Sequence, residues 1–142
     1  MDGDERLGAR WFPDANMILA RNRFRWSDRE PARGVWSEDK VRRRGTFAEV
    51  YDAVSRTAQA MSAAGVKPGD RVAAFMPNMP ETIIFMLASA SLGAIWSSCS
   101  PDFGAQGVLD RFGQIEPAIL FAVEGYHYNG KVIDTLPRIA DI

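Results

Sequence analysis

Gly65-Val66-Lys67-Pro68-Gly69-Asp70-Arg71-Val72-Ala73-Ala74-Phe75 joins a helix stop, a tight turn and a short apolar run within eleven residues. Gly65 accepts the left-handed backbone that ends a helix, and Pro68-Gly69 supplies the fixed φ and then the positive φ of a turn. Arg71 to Phe75 has the length and character of a strand buried on both faces. Helix, turn, buried strand is the repeating unit of α/β proteins.

The residues before this stretch supply the helix. Thr46 followed by Glu49 is a capping box, in which each side chain serves the other residue's backbone N–H. Phe47, Val50, Tyr51, Val54, Ala58 and Met61 recur at helical spacing, which predicts an amphipathic helix ending near Ala64.

Beyond Phe75 the unit repeats. Pro77-Asn78-Met79-Pro80-Glu81 opens a second helix, with Asn78 as candidate cap, running to about Leu92. Gly93 ends it, Ala94 to Ser98 is a second strand, and Ser100-Pro101-Asp102-Phe103-Gly104 is a loop. A third helix is expected over Ala105 to Ile115, stopped by Pro117, then a strand over Ala118 to Val123. Glu124 to Lys131 is read as a polar, glycine-bearing loop before a last helix.

This alternation predicts an α/β fold, a partial doubly wound parallel sheet with helices on both faces. Ligands of such sheets sit at the carboxyl ends of the strands, which singles out Met76 to Pro80, Ser97 to Gly104 and Glu124 to Lys131. The alternation stops after three strands, before a switch point is complete, and is expected to leave a sheet edge open for self-association. Residues 1–44 show no sustained period and are expected to form an irregular arm, packed through Trp11, Trp26 and Trp36. Residues 45–142 form the folded repeats.

Composition narrows the function. A chain of 142 residues with 46% hydrophobic residues and a net charge of −1 can bury a core but has no field for a polyanion. The Lys40, Arg42, Arg43 and Arg44 cluster lies beside Glu38 and Asp39, so a solvated surface explains it better than nucleic-acid binding. The single cysteine, Cys99, forms no internal disulfide, no metal-ligand spacing is present, and no stretch is long enough to span a membrane; a cytoplasmic location fits. Cys99 reads as a buried thiol before a nucleophile, since nothing nearby in sequence would activate it. Trp96 and Phe103 read either as pocket lining or as core.

Three blocks carry a family resemblance. Gly65 to Val72 and Pro77 to Glu81 resemble the adenylate-forming synthetase superfamily. Gly93-Ala94-Ile95-Trp96-Ser97-Ser98-Cys99-Ser100-Pro101-Asp102-Phe103-Gly104, with Leu109 to Phe112 and Gly125 to Lys131, is similar to its acetoacetyl-CoA synthetase branch. That resemblance implies the N-terminal portion of an acetoacetate–CoA ligase, which with ATP, CoA and Mg²⁺ converts acetoacetate through an acyl adenylate to acetoacetyl-CoA, AMP and pyrophosphate. It also implies that the phosphate-gripping loop and the catalytic lysine lie downstream, so that this chain alone is inactive. No G-x-x-x-x-G-K-[ST] or G-x-G-x-x-G occurs here.

The resemblance further implies a coenzyme A contact at His127, Asn129, Gly130 and Lys131. There Lys131 would pair with a phosphate, protonated His127 would add to it, and Gly130 would admit close backbone approach. Arg33-Gly34 departs from the family pattern by interrupting an apolar strand that should end at Trp36; either that strand does not form or Arg33 reaches solvent. The open alternatives are a non-catalytic α/β module binding a nucleotide or a partner chain, or a decayed fragment.

Overall fold

The computed structural model describes residues 31–37 and 41–142, with side chains from residue 45 onward. Expectations for Trp11, Trp26, Glu38, Asp39 and Lys40 lie outside the described residues, as do those for the side chains of Trp36 and Arg42 to Arg44.

The chain opens with an antiparallel pair, β1 (Pro31–Ser37) and β2 (Val41–Thr46), in register from Pro31↔Thr46 to Ser37↔Val41. This corrects the expectation of irregular backbone up to residue 44. The strand carrying Arg33-Gly34 does form, and its register shifts between Ala32 and Val35, so the interruption is absorbed as an irregularity in the ladder. Backbone pairing holds these strands although Val41-Arg42-Arg43-Arg44-Gly45 has no apolar alternation.

Helix α1 (Phe47–Ala63) begins at the expected capping box: the Thr46 N–H donates to Glu49 Oε2 at 2.7 Å and the Glu49 N–H to Thr46 Oγ1 at 3.2 Å. The Thr46 N–H, and then the Thr46 hydroxyl donating to the same oxygen at 3.1 Å, hold the Glu49 carboxyl below its ordinary pKa. At the other end Gly65 takes φ +94°, its N–H donates to the Ser62 carbonyl and that of Val66 to the Met61 carbonyl, a Schellman stop. Val66 and Met61 are both buried in one core, which supplies the hydrophobic contact of that motif. Gly69, at φ +88°, completes the turn, and the Lys67 N–H donates to Asp70 Oδ2 at 2.8 Å.

Strand β3 (Arg71–Phe75) follows, buried at every position after Arg71. It is the centre of a parallel sheet ordered β4-β3-β5, with β4 (Ile95–Cys99) on one side and β5 (Ile119–Ala122) on the other. The Arg71 guanidinium donates to the carbonyls of Ile115 and Glu116, fastening the entry to β5 onto the base of β3.

Helix α2 (Pro80–Ser91) connects β3 to β4, and α3 (Ala105–Phe112) connects β4 to β5. These crossovers run in opposite directions across the sheet, so right-handed connections must place their helices on opposite faces. The cores agree. Val72, Trp96, Ile119 and Phe121 pack with α1 and α2, the Phe121 ring stacked on Phe85 at 4.0 Å, whereas Ala73, Phe75, Cys99 and Leu120 pack with Val108 and Phe112 of α3. The doubly wound arrangement is therefore present. One expectation needs correction: since the winding reverses between β3 and β5, the switch point lies within the described residues.

Local boundaries differ in detail. The cap of α2 is Met79 rather than Asn78 and makes no side-chain bond; Thr82 Oγ1 instead donates to the Pro77 carbonyl at 2.8 Å. Helix α3 stops at Phe112, three residues early, because Gly113 takes the C-cap. The segment expected as a polar loop is a hairpin, β6 (Gly125–Tyr128) and β7 (Lys131–Asp134), followed by the short helix α4 (Leu136–Ala140). Asn129 at φ +50° and Gly130 at φ +71° make the two-residue turn whose twist matches a hairpin. Among the described residues no helix is long and apolar enough to cross a membrane.

Candidate functional site

The carboxyl edge of the sheet gathers the segments after β3, β4 and β5. From β3, the Met76 N–H donates to the Cys99 carbonyl at 3.3 Å, drawing the first two strand ends together. From β4, the loop Ser100 to Gly104 folds on itself: Ser100 Oγ donates to Asp102 Oδ2 at 2.9 Å and accepts from the Asp102 N–H at 3.3 Å. From β5, Val123 and Glu124 lead into the hairpin.

The hairpin and α4 both return to the β4 loop. Tyr126 of β6 donates its phenolic proton to Asp102 Oδ1 at 2.5 Å, and Arg138 of α4 donates to the Pro101 carbonyl at 2.6 Å. The Tyr126 bond, the Ser100 bond and the Arg138 charge together hold the Asp102 carboxyl below its ordinary range. Tyr126 is pushed up, first by partial burial and then by its bond to Asp102 and that residue's charge, with Arg138 opposing. Both shifts describe one arrangement, a neutral phenol donating to a carboxylate. At the hairpin base, buried Thr135 donates its hydroxyl to the Val123 carbonyl and its N–H to the Glu124 carbonyl at 3.0 Å.

The expected coenzyme residues all lie on this hairpin, but they do not form one cluster. His127 faces Val132 across the ladder, and Tyr128 faces Lys131. Side chains alternate along a strand and paired residues share a face. Tyr126, Tyr128, Lys131 and Ile133 therefore occupy one face, and His127 with Val132 the other. Asn129 and Gly130 form the turn, and Lys131 is exposed.

Other candidates separate by burial. Cys99 is buried beside Phe75 and Val108, and burial pushes its thiol pKa up against the opposing charge of Arg111, the reverse of what a nucleophile needs. Trp96 packs into the core shared with α1 and α2. Phe103 is 38% exposed, with the Arg111 guanidinium 4.2 Å from its ring centre. Among the described residues no three His, Cys, Asp or Glu side chains are grouped to hold a metal ion. Sequence reading missed Tyr126 and Arg138 as partners of Asp102. Asn129-Gly130 was a usable signal for the hairpin and hence for Tyr126; nothing local marks Arg138.

Comparison with known proteins gives this geometry a family. A sequence profile described as "AMP-binding enzyme" matches residues 24–141. The chain belongs to the AMP-binding enzyme family. Among the relatives of this family member, the acetoacetyl-coenzyme A synthetase of Rhizobium meliloti (strain 1021) is 57% identical over 98% of the chain and 21% of the relative. The acetoacetyl-CoA synthetase of Gallus gallus is 41% identical over 93% of the chain and 20% of the relative. The solved acetoacetyl-CoA synthetase of Streptomyces lividans superposes with a TM-score of 0.89 at 42% identity, covering 94% of the chain and 21% of that structure. The chain thus spans about a fifth of the length of the AMP-binding relatives it matches.

Proposed function

We propose that this chain is the first part of an ATP-dependent acetoacetate–CoA ligase. What carries the reading is its 57% identity to an acetoacetyl-coenzyme A synthetase over 98% of its residues. In the whole protein, acetoacetate and ATP give an acyl adenylate with release of pyrophosphate, and the CoA thiol then takes the acyl group and releases AMP. Residues 45–142 hold the first β-α repeats of the AMP-binding domain, and the family match that begins at residue 24 takes in the β1–β2 pair before them. The protein is cytoplasmic, acts on small molecules, and binds neither nucleic acid nor membrane. Its outer strands β4 and β5 offer edges for further strands or for self-association.

Within this segment the reading assigns a coenzyme A contact to the β6–β7 hairpin. The donor chemistry fits an anion: Lys131 presents an exposed ammonium beside the glycine turn, and Gly130 has nothing within 4 Å of an added Cβ. His127 lies on the other face, so Lys131 leads this contact and His127 meets the coenzyme only if it folds around the strand. Mg²⁺ belongs to the whole enzyme, where it screens the phosphates; no ligand set for it occurs among the described residues, and no step here is routed through it.

The test is acetoacetate-dependent pyrophosphate release, expected from the full-length protein and absent from this chain by itself. A full-length protein that releases no pyrophosphate with acetoacetate, but does with another acid, would displace the substrate assignment. Lys131→Ala in the full-length protein is expected to raise KM for CoA more than KM for ATP, and equal changes would make Lys131 ordinary surface.

A further inference from the structure

Among the described residues, the outer part of the hairpin that carries Lys131 is lightly packed. Val132 is 73% exposed and Tyr128 59%, Lys131 is exposed, and a two-stranded ribbon is marginal by itself in water. Directed contacts therefore weigh heavily in its orientation, and several of them gather at its base. Thr135 anchors the end of β7 to the carbonyl of Val123. On the side of the ribbon the Tyr126 phenol donates to Asp102 at 2.5 Å, a contact placed to bias its tilt about that base.

Asp102 is itself held on both flanks, by the Ser100 hydroxyl and by Arg138, which bonds the neighbouring Pro101 carbonyl while its charge bears on Asp102. The three side chains come from the β4–α3 loop, β6 and α4, and they meet at the sheet's carboxyl edge. Tyr126 and Lys131 share a face of the hairpin, so the face that the bond points toward the sheet edge is the face that carries the ammonium.

We propose that Tyr126, Asp102 and Arg138 form a positioning clasp that sets the tilt of the β6–β7 hairpin and so aims Lys131 at the phosphates of the incoming coenzyme. The clasp touches no reacting atom. It rests on the coenzyme reading given above, and it serves the thioester-forming half of the reaction and not adenylation. It acts through orientation, so each of its members is replaceable only by a group that keeps the bond.

The experiment uses the full-length protein with Tyr126→Phe, Asp102→Ala, the double variant and Lys131→Ala. Two readouts are taken, KM for CoA in the overall reaction and acetoacetate-dependent exchange of pyrophosphate into ATP. Each clasp variant is expected to raise KM for CoA about threefold to tenfold, the net worth of one ordinary hydrogen bond, since the clasp acts on the coenzyme only through Lys131. The double variant is expected to add nothing further, and pyrophosphate exchange to stay at the parent rate. Asp102→Asn, which keeps an acceptor for the phenol, should restore most of the affinity. The proposal is overturned if KM for CoA does not move, if the two single effects add, if exchange falls in parallel, or if no clasp variant yields folded protein. An unchanged KM for CoA in Lys131→Ala would instead remove the coenzyme reading itself, so the two failures are told apart.

Discussion

Phe75→Ala tests whether β3 is the centre of the sheet. Phe75 is 0% exposed and packs on Ala73, Cys99, Val108 and Phe112 between the sheet and α3. A buried phenylalanine removes about 200 Å² from water, of which about 150 Å² is lost on truncation to the methyl group. At about 25 cal/mol per Å² the transfer loss is near 4 kcal/mol, inside the range of about 3–5 kcal/mol for Phe→Ala in cores that relax incompletely. Ile95, paired with Arg71 on the neighbouring strand, is 55% exposed. Ile95→Ala therefore removes less than half as much buried surface and should cost about 1 kcal/mol. Urea denaturation of the 142-residue chain, followed by tryptophan fluorescence, measures both. A difference of about 3 kcal/mol is expected. Equal costs would mean that β3 does not lie between two packed faces, and the strand order β4-β3-β5 would be wrong.

Gly125→Ala should disorder the hairpin, because an added Cβ would lie 2.8 Å from the Ile133 carbonyl; the measurement is hydrogen exchange at Val132 and Ile133, with protection lost in the variant. Thr46→Ala removes the hydroxyl that caps the Glu49 N–H, while the Thr46 N–H keeps its bond to Glu49, and should cost about 1 kcal/mol in the same urea assay. The clasp carries a pH signature with opposite signs at its two ends. Asp102 has a lowered folded pKa, so its contribution is present above the ordinary value of 3.8 and is lost as pH falls through the folded one. Tyr126 has a raised folded pKa, so its contribution is present below 10.0 and is lost as pH rises through the folded value. A stability profile of Tyr126→Phe should lose the alkaline decline assigned to that phenol, and an unchanged alkaline limb would count against the bond.

Much of the scaffold was legible because its signals are local. Thr46 with Glu49 marks one end of α1 and Gly65 the other, and the apolar run from Val72 to Phe75 marks a strand buried on both faces. The β1–β2 pair was not legible, because arginines fill the positions where apolar alternation would speak and the ladder is held by backbone bonds. The hairpin is hidden for another reason: Gly125 to Lys131 looks like a loop by polarity, and the one local mark of a hairpin is the turn geometry that Asn129-Gly130 favours. Strand order is a contact between residues far apart in sequence, so the reversal of winding at β3 left no mark in any one segment. The same holds for the site. Asp102, Tyr126 and Arg138 come from three elements, and only the folded chain shows that they meet, or that His127 and Lys131 point to opposite sides.

The position of β3 also bears on how the chain is made. A central strand whose partners both come later in the sequence leaves the ribosome with neither neighbour, its apolar backbone run waiting until Ile95 to Cys99 and then Ile119 to Ala122 have been synthesised. When β3 emerges, α1 is the one described helix already complete, and its Val54 and Met61 face the same core as Val72. The first helix is thus a shield during synthesis as well as a layer of the finished fold, covering one apolar face of a strand whose two edges are still waiting for partners.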